Sequence, residues 1–409
     1  MTPEPMGSVN GPITVGVFAG TLDIDYVGGL TTYTLGIIQG LAEERNEHRI
    51  VVFAPPTIID FICKNLRSRD SVEFVSLRLP VLRHLEGLSL VRGLGWLFNP
   101  IRNALWGGIS RIISQKCDVV YFPACYLETP RITTPSVVSF HDLQHEFLPE
   151  NFSWLRRRMR RLRFGETFRS STVIQASSES MKNDALQIYG DRISPKNIWV
   201  IPEGVDFPSY ARPIVRNVRE KYHLPDEYLF YPAQLWPHKN HLRVLQGLKL
   251  LRDEGLRIPL VLTGGKYEAS EPIFTFITEN GLADQVSYLG KVPFEDLRGI
   301  YRSATYVITA TLYESSSLPL IEGAATGVPL IASATPPNRE AARWFRLRLF
   351  DPVSVDDLAK TLKDGWLNRQ KNESDVAANR LAAERHDWRS IARAYFRLFE
   401  SCAAKRKDS

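Results

Sequence analysis

The stretch from Ala304 to Ser333 constrains the fold of this chain more than any other. Ala304-Thr-Tyr-Val-Ile-Thr309 is a β-branched run that predicts a buried strand. Leu330-Ile-Ala-Ser333 predicts a second, shorter one. Between them the residues call for a helix. Ser315, Ser316 and Ser317 offer N-cap hydroxyls, and Pro319 suits the first helical turn, where its missing N–H is not needed. Gly327 and Pro329 stop the helix. Strand, helix and strand in one short span is the unit from which open α/β sheets are built.

The same stretch carries chemistry. Glu314 lies at the tip of the first strand, and Glu322 lies one to two turns into the helix. A helix N-terminus at a strand tip is an anion site, with free N–H groups at the positive end of a dipole. Two carboxylates beside it repel phosphate oxygens but accept hydrogen bonds from hydroxyls. Phosphate on the backbone and hydroxyls on glutamates together describe a nucleotide sugar. One such glutamate alone would read as an ordinary acidic helix start.

Glu314-Ser-Ser-Ser-Leu-Pro-Leu-Ile-Glu322 resembles the E-x7-E motif of the retaining GT-B glycosyltransferases of family 4. The resemblance implies that Glu314 faces the donor sugar and Glu322 the nucleotide ribose. Ser317 and Leu318, at the helix start, would lie at the diphosphate. The family usually has glycines where Ser315 and Ser317 stand, so the loop here is stiffer, with hydroxyls as extra donors.

The chain has 409 residues, too many for one core, so two domains of about 200 residues are expected. Hydrophobic residues make up 44% and charged residues 23%, as in globular proteins. The net charge of +6 makes an anionic partner plausible: a diphosphate donor, a membrane surface or nucleic acid. Cys63, Cys117, Cys125 and Cys402 have no metal-ligand spacing and read as reduced thiols. No run of about 18 apolar residues occurs, so no transmembrane helix is expected. Met1 to Gly11 lacks a basic-then-apolar signal and reads as a loose tail. The expected location is cytoplasmic.

Along the first half, Ile13–Ala19 predicts a strand, and Leu30–Glu44 a helix with apolar residues at Leu30, Tyr33, Ile37, Ile38 and Leu41. Gly28-Gly29 before that helix would admit a phosphate to the backbone, although a lone Gly-Gly reads first as an ordinary turn. The three-glycine dinucleotide fingerprint is absent, and the next strand, Arg49–Ala54, ends in Pro55-Pro56 with no acid, which weighs against an NAD enzyme. In the resemblance, Gly28 and Gly29 lie beside the donor phosphates. Residues 81–116, with Trp96, Phe98 and Trp106, read as apolar helix and ordinary core rather than an acceptor groove or a membrane-facing edge. His141 and Asp142 follow the strand Pro135–Phe140, at the carboxyl edge where open α/β sheets bind ligands. The resemblance gives His141 contact with the donor sugar and makes Asp142, His145 and Glu146 candidates for the acceptor.

Trp154-Leu-Arg-Arg-Arg-Met-Arg-Arg-Leu-Arg163 packs six arginines into a helical pattern with Leu155, Met159, Leu162 and Phe164 as its apolar stripe. It reads as a solvated basic face, or as a surface for anionic lipid through Arg156 to Arg163, at the inner face of the membrane. Aromatic stacking platforms are absent, so nucleic acid is not expected as a partner. Ile201-Pro-Glu-Gly-Val-Asp206 breaks the pattern and resembles the family's hinge. The expected domains are therefore 1–205 on the acceptor side and 206–385 on the donor side, with 386–409 as a terminal helix returning to the first.

In the second half, Glu227–Ala233 predicts a strand that leads to Gln234, Lys239, Asn240 and a helix from Leu242 to Glu254. A lysine at a helix start opposes the dipole and calls for an anion. The family has Arg and Lys five apart here to clamp the diphosphate. This chain has Gln234 for the Arg and Lys239 in register, with His238 or His241 as compensating groups. Ile258–Gly265 is a strand ending in Gly264-Gly265, which the resemblance sets near the nucleotide, and Gly290–Val292 would read the base. Residues 330–340 and 349–352 look turn-rich.

The resemblance thus implies an α/β protein of GT-B type: two Rossmann-like, doubly wound domains facing a central cleft, without cofactor or metal. Its implied activity is retaining transfer of a hexose from a nucleotide-diphosphate sugar, GDP-mannose being favoured, to a glycan or lipid-linked acceptor in surface polysaccharide synthesis. His141, Lys239 and Glu314 would act on the reacting centre. Gly28, Gly29, Asp142, Gln234, Asn240, Gly264, Gly265, Ser317, Leu318 and Glu322 would bind substrate. The alternatives are a nucleotide-sugar epimerase, a phosphorylase, or a binding protein of the same fold without turnover.

Overall fold

The computed structural model describes residues 11–22, 24, 28–79, 95–129, 132–212 and 217–407. The chain divides into two compact units, Met1–Gly204 with Trp388–Ser409, and Val205–Asp387. The N-terminal tail and the side chains of Trp96 and Phe98 lie outside the described residues.

The first unit alternates β1 (Thr14–Phe18), α1 (Gly29–Glu44), β2 (Arg49–Ala54), α2 (Pro56–Asn65), β3 (Val72–Ser76), α3 (Gly95–Lys116), β4 (Val119–Phe122) and β5 (Ser136–Phe140). It continues with α4 (Gln144–Phe147), α5 (Trp154–Ser170), β6 (Val173–Ala176), α6 (Glu179–Tyr189) and β7 (Ile198–Val200). Every pairing is parallel, in the order β3-β2-β1-β4-β5-β6-β7. Central strands such as Val119-Val-Tyr-Phe122 are buried along their whole length, because helices cover both faces.

The second unit repeats the plan: α7 (Phe207–Ala211), α8 (Val218–Lys221), β8 (Leu229–Pro232), α9 (His241–Asp253), β9 (Leu260–Thr263), α10 (Ser270–Glu279) and β10 (Val286–Tyr288). Then come α11 (Phe294–Ser303), β11 (Tyr306–Thr309), α12 (Leu318–Thr326), β12 (Leu330–Ser333), α13 (Pro336–Ala341), β13 (Leu347–Phe350), α14 (Val355–Leu367) and α15 (Glu373–Arg385). Its parallel sheet runs β10-β9-β8-β11-β12-β13. Strand order reverses between β1 and β4 in one sheet and between β8 and β11 in the other. Open α/β sheets bind ligands at the carboxyl ends of strands that flank such a reversal.

A last helix, α16 (Trp388–Lys407), belongs to the first unit, where it lies along α1. Gly36 and Gly40 of α1 leave room for Trp388: a Cβ on Gly36 would stand 2.1 Å from the indole Nε1. Beneath the helix pair the Tyr33 hydroxyl meets Tyr121 at 2.8 Å and Ser139 at 2.9 Å, and it also meets Tyr395 of α16. Burial pushes all three phenols above their ordinary pKa, so they remain neutral donors.

Several local expectations are corrected. Within the stretches expected to be turn-rich, residues 336–340 lie in a helix and 349–350 end a strand. Pro336 and Pro337 occupy the first helical turn, where no donor is needed. The strand is an edge strand, half-buried until Phe350, which blurs its alternation. Leu30 is exposed on α1, and α16 runs on to Lys407. Ser317 is the N-cap of α12, but its hydroxyl makes no capping bond. Trp106 is fully buried core.

The arginine run is not a uniformly solvated face. Arg160 holds Asp142, Arg161 holds Glu146 through two nitrogens, and Arg157 Nε donates to the His145 carbonyl at 3.0 Å. Arg156 and Arg158 instead lie over the rings of Phe152 and Trp154. Trp154 is exposed at 70%, and so is Leu155 of the expected apolar stripe, at 61%.

Candidate functional site

In the second unit the two segments that leave the strands at the reversal meet. The chain leaves β8 through a turn that ends at Lys239, and it leaves β11 through Ala310 to Glu314. Lys239 Nζ donates to Glu314 Oε2 at 3.0 Å. Tyr231, near the end of β8, clips the two segments together. Its hydroxyl donates to the Lys239 carbonyl and accepts from the Ala310 amide at 3.2 Å. The Leu312 amide adds a bond to the His238 carbonyl at 2.8 Å. Asn240 then turns the chain with φ of 59°, a left-handed conformation that asparagine tolerates, and its amide donates to the Pro352 carbonyl at 2.9 Å.

This corner has unused polar capacity. Glu314 Oε1 and Ser317 Oγ are buried without a hydrogen-bond partner among the described residues. Ser317 heads α12, and its side chain makes no capping bond to the first-turn amides among the described residues. A buried polar atom without a partner costs about 1–3 kcal/mol, so its persistence points to a ligand that completes it. Glu314 and Ser317 are thus a carboxylate acceptor and a hydroxyl donor held open beside an ammonium and a helix N-terminus.

Glu322 points toward a different neighbour. It is buried on α12 and accepts from the Tyr301 hydroxyl of α11 at 2.5 Å. Its charge lies beside Tyr210 as well and helps hold both phenols above their ordinary pKa, after burial. Gln234 Oε1 accepts from the Gly265 amide, so the residue standing for the usual arginine is engaged in bracing the glycine turn. Gly264 needs to be glycine: its φ is +126°, and a Cβ would meet the Ala233 carbonyl at 2.5 Å. His238 and His241 do not replace the missing cation. Burial holds both near a pKa of about 3, with the Lys239 charge as the second cause, so both are neutral at physiological pH.

In the first unit, Gly28 caps α1 in an extended conformation that any residue adopts, and Gly29 is the first helical residue. His141 leaves β5 with its ring 4.5 Å from that of Tyr33, one turn into the same helix. Both its nitrogens have neighbours: Nε2 is 3.0 Å from the Pro123 carbonyl oxygen and Nδ1 is 3.5 Å from a Glu203 oxygen. Asp142 is used internally, accepting from the Gln144 amide at 2.7 Å and from Arg160. His145 is fully buried, and burial lowers its pKa to about 4, so it is not a surface contact for an acceptor. Glu146 is taken by Arg161.

Sequence reading passed over Tyr231, Tyr301 and Glu203. Tyr231 and Tyr301 look like ordinary core aromatics, and their hydroxyls matter only because of what lies opposite. Glu203 carried a local signal: an acid in the apolar, turn-forming run Ile201-Pro-Glu-Gly-Val.

An ammonium, a carboxylate and a helix N-terminus thus meet at the sheet reversal of one of the two Rossmann-like units. Residues 216–382 match the family model of glycosyl transferases group 1, and residues 27–207 match that of glycosyltransferase family 4. The O-antigen chain mannosyltransferase B of Escherichia coli is 25% identical over 374 residues, 90% of each chain. The MMP alpha-(1->4)-mannosyltransferase of Mycolicibacterium hassiacum is 29% identical over 245 residues, 57% of this chain and 54% of that one, so the match spans about half of that relative. The crystal structure of Anabaena HepE in complex with UDP-glucose superposes with a TM-score of 0.71 at 15% identity, covering 95% of this chain and all of that one. The fold is that of GT-B proteins, and the chain belongs to the group 1, family 4 glycosyltransferases.

Proposed function

We propose that this protein transfers a hexose of the mannose type, with retention of anomeric configuration, from a nucleoside-diphosphate sugar to a glycan or lipid-linked acceptor in surface-polysaccharide synthesis. The observation that carries this reading is the Lys239–Glu314 pair, with Glu314 Oε1 and Ser317 Oγ left unpaired at the start of α12. The mannosyl donor is supported by the names of the relatives, and a nucleotide-sugar donor in general by the UDP-glucose bound to HepE.

The hard step is departure of the diphosphate from the anomeric carbon. Lys239, the Ser317 hydroxyl and the α12 amides from Leu318 onward would neutralise the charge that develops on it. Glu314 would accept from sugar hydroxyls through its open oxygen. Glu322, oriented by Tyr301, would take the ribose. Gly264 and Gly265, braced by Gln234, would pass the backbone close to the nucleotide, and Asn240 would fix the Lys239 turn. In the first unit the amides after Gly28 and Gly29 would meet the phosphates, and His141 would meet the sugar on giving up one of its present neighbours. Asp142, through Arg160, would position the loop that carries His141. The departing phosphate would take the acceptor hydroxyl's proton.

Thermal denaturation with GDP, UDP, ADP and dTDP, followed by product analysis from GDP-α-mannose, tests this. GDP is expected to raise the melting temperature most, and the product is expected to be the α-anomer. A β-linked product would overturn retention. A larger shift with UDP would overturn the donor, and binding without transfer to any acceptor would overturn the enzyme reading.

Membrane contact belongs to the same proposal. No described helix is long and apolar enough to cross a membrane. Exposed Trp154 and Leu155 beside Arg156 and Arg158 form a tip suited to an anionic interface, as at the inner membrane face. Vesicles containing phosphatidylglycerol are expected to shift Trp154 fluorescence to the blue and to lose the protein when Arg156 and Arg158 become glutamate. Equal binding of that variant would refute the tip.

A further inference from the structure

The second unit has a cavity at the other edge of its sheet. It lies at the amino ends of β11, β12 and β13, whereas Lys239 and Glu314 follow carboxyl ends. Its volume is about 360 Å³, and its lining includes Tyr306, Leu330, Arg346, Arg348, Asn372 and Asp375. That volume falls in the range of about 300–1,000 Å³ usual for small-molecule sites.

The polar groups there are held in place. Arg348 Nη2 donates to Asn372 Oδ1 at 3.3 Å. Asn372 is buried, and its amide donates to the Tyr306 hydroxyl at 2.5 Å and the Arg369 carbonyl at 3.0 Å. Arg346 is fixed through its backbone: its amide donates to Asn379 Oδ1 at 2.5 Å, and Asn379 Nδ2 donates back to its carbonyl at 3.0 Å. Asn379 is buried too. Two buried asparagines of α15 and its N-cap thus set two arginines at one opening. Neither guanidinium forms an ion pair among the described residues. Asn372 caps α15 by position only, so its side chain leaves the first-turn amides of that 13-residue helix unclaimed among the described residues.

The geometry points to this cavity as a second binding site, for a small phosphorylated polyol of the sugar-phosphate class. Arg346, Arg348 and the start of α15 take the phosphate, since guanidinium forks match its oxygens and a helix N-terminus adds positive potential. Asp375, the carboxylate in the lining, repels a bare anion but accepts from hydroxyls. Within the lining two positive charges stand against one negative, and Glu373, the other acid in the first turn of α15, lies outside it. The ligand the opening fits carries its charge at one end and hydroxyls at the other.

Titration calorimetry with glucose 6-phosphate, inorganic phosphate and glucose tests the site on the full chain. Glucose 6-phosphate is expected to bind best. The Arg346→Gln/Arg348→Gln variant is expected to weaken it about tenfold or more, and Arg348→Lys less. Asp375→Asn is expected to weaken glucose 6-phosphate and tighten inorganic phosphate. Lys239→Ala is expected to leave both unchanged, which separates this site from the one at α12. The melting temperature of each variant checks that it is folded. Failure of the wild type to bind glucose 6-phosphate, equal binding by the folded double variant, or loss of binding in Lys239→Ala would overturn the proposal.

Discussion

Replacing Lys239 by alanine is expected to lower kcat/KM for sugar transfer by about 10²- to 10³-fold, with the larger part in kcat. The reason lies in where the ammonium sits. It is three-quarters buried, 3.0 Å from Glu314, and held by a turn whose backbone Tyr231 clips to the strand across the sheet reversal. A charge fixed before the reaction needs no reorganisation as the leaving diphosphate gains charge, so its benefit grows toward the transition state. Gln234 cannot share this task, because it is uncharged and its oxygen is already committed to the Gly265 amide. His238 and His241 are neutral. Lys239→Arg keeps the charge but not the compact geometry and is expected to recover part of the loss. Glu314→Gln keeps the shape, removes the carboxylate and is expected to cost a comparable amount. The two substitutions together should cost less than the sum of their separate effects, because the side chains touch. Steady-state kinetics of the wild type and these four variants checks this. A Lys239→Ala enzyme within about twofold of wild type would remove Lys239 from the mechanism.

The pair also shows what was legible before the structure and what was not. The alternation of strands and helices could be read because strands buried on both faces are continuous apolar runs, such as Leu260-Val-Leu-Thr263. The start and stop of α12 were legible in Pro319 and Gly327, and Gly327 ends the helix with φ of 79°. Edge strand β13 and proline-started α13 escaped because their signals are those of turns. At the site, a lysine opposing a helix dipole and a glutamate after a strand were local signals, but their contact across 75 residues was not. The internal commitments of Gln234, Asp142 and Asn240 had no local signal. Each is a polar residue in a loop at a strand end, the same description that fits a ligand-binding group, and only the atom opposite tells the two apart.

Gly40→Ala is expected to destabilise the first unit by about 3 kcal/mol, the upper part of the usual range for overpacking. The added methyl would stand 2.3 Å from the Trp388 carbonyl oxygen and 2.7 Å from its carbon, both backbone atoms that no rotamer change can move. Helix α16 must shift off α1 to admit it. That shift disturbs the packing of Trp388 on Tyr33 and the Tyr33–Tyr395 contact beneath. The same exchange in α3 should have the opposite sign. A Cβ on Gly107 meets nothing within 4 Å among the described residues, so Gly107→Ala only removes backbone freedom from the unfolded chain and should stabilise by about 0.5–1 kcal/mol. Amide exchange across α1 and α16 reads both outcomes locally, which matters in a chain of two units where one global melting curve does not isolate either. Gly40→Ala should lower protection in α1 and α16 together, and Gly107→Ala should leave both unchanged or slightly higher. If Gly40→Ala keeps wild-type protection in α16, the helix is not seated through backbone contact at this glycine. Its hold on the first unit would then rest on the tyrosine cluster, and Tyr395→Phe would become the substitution that releases it.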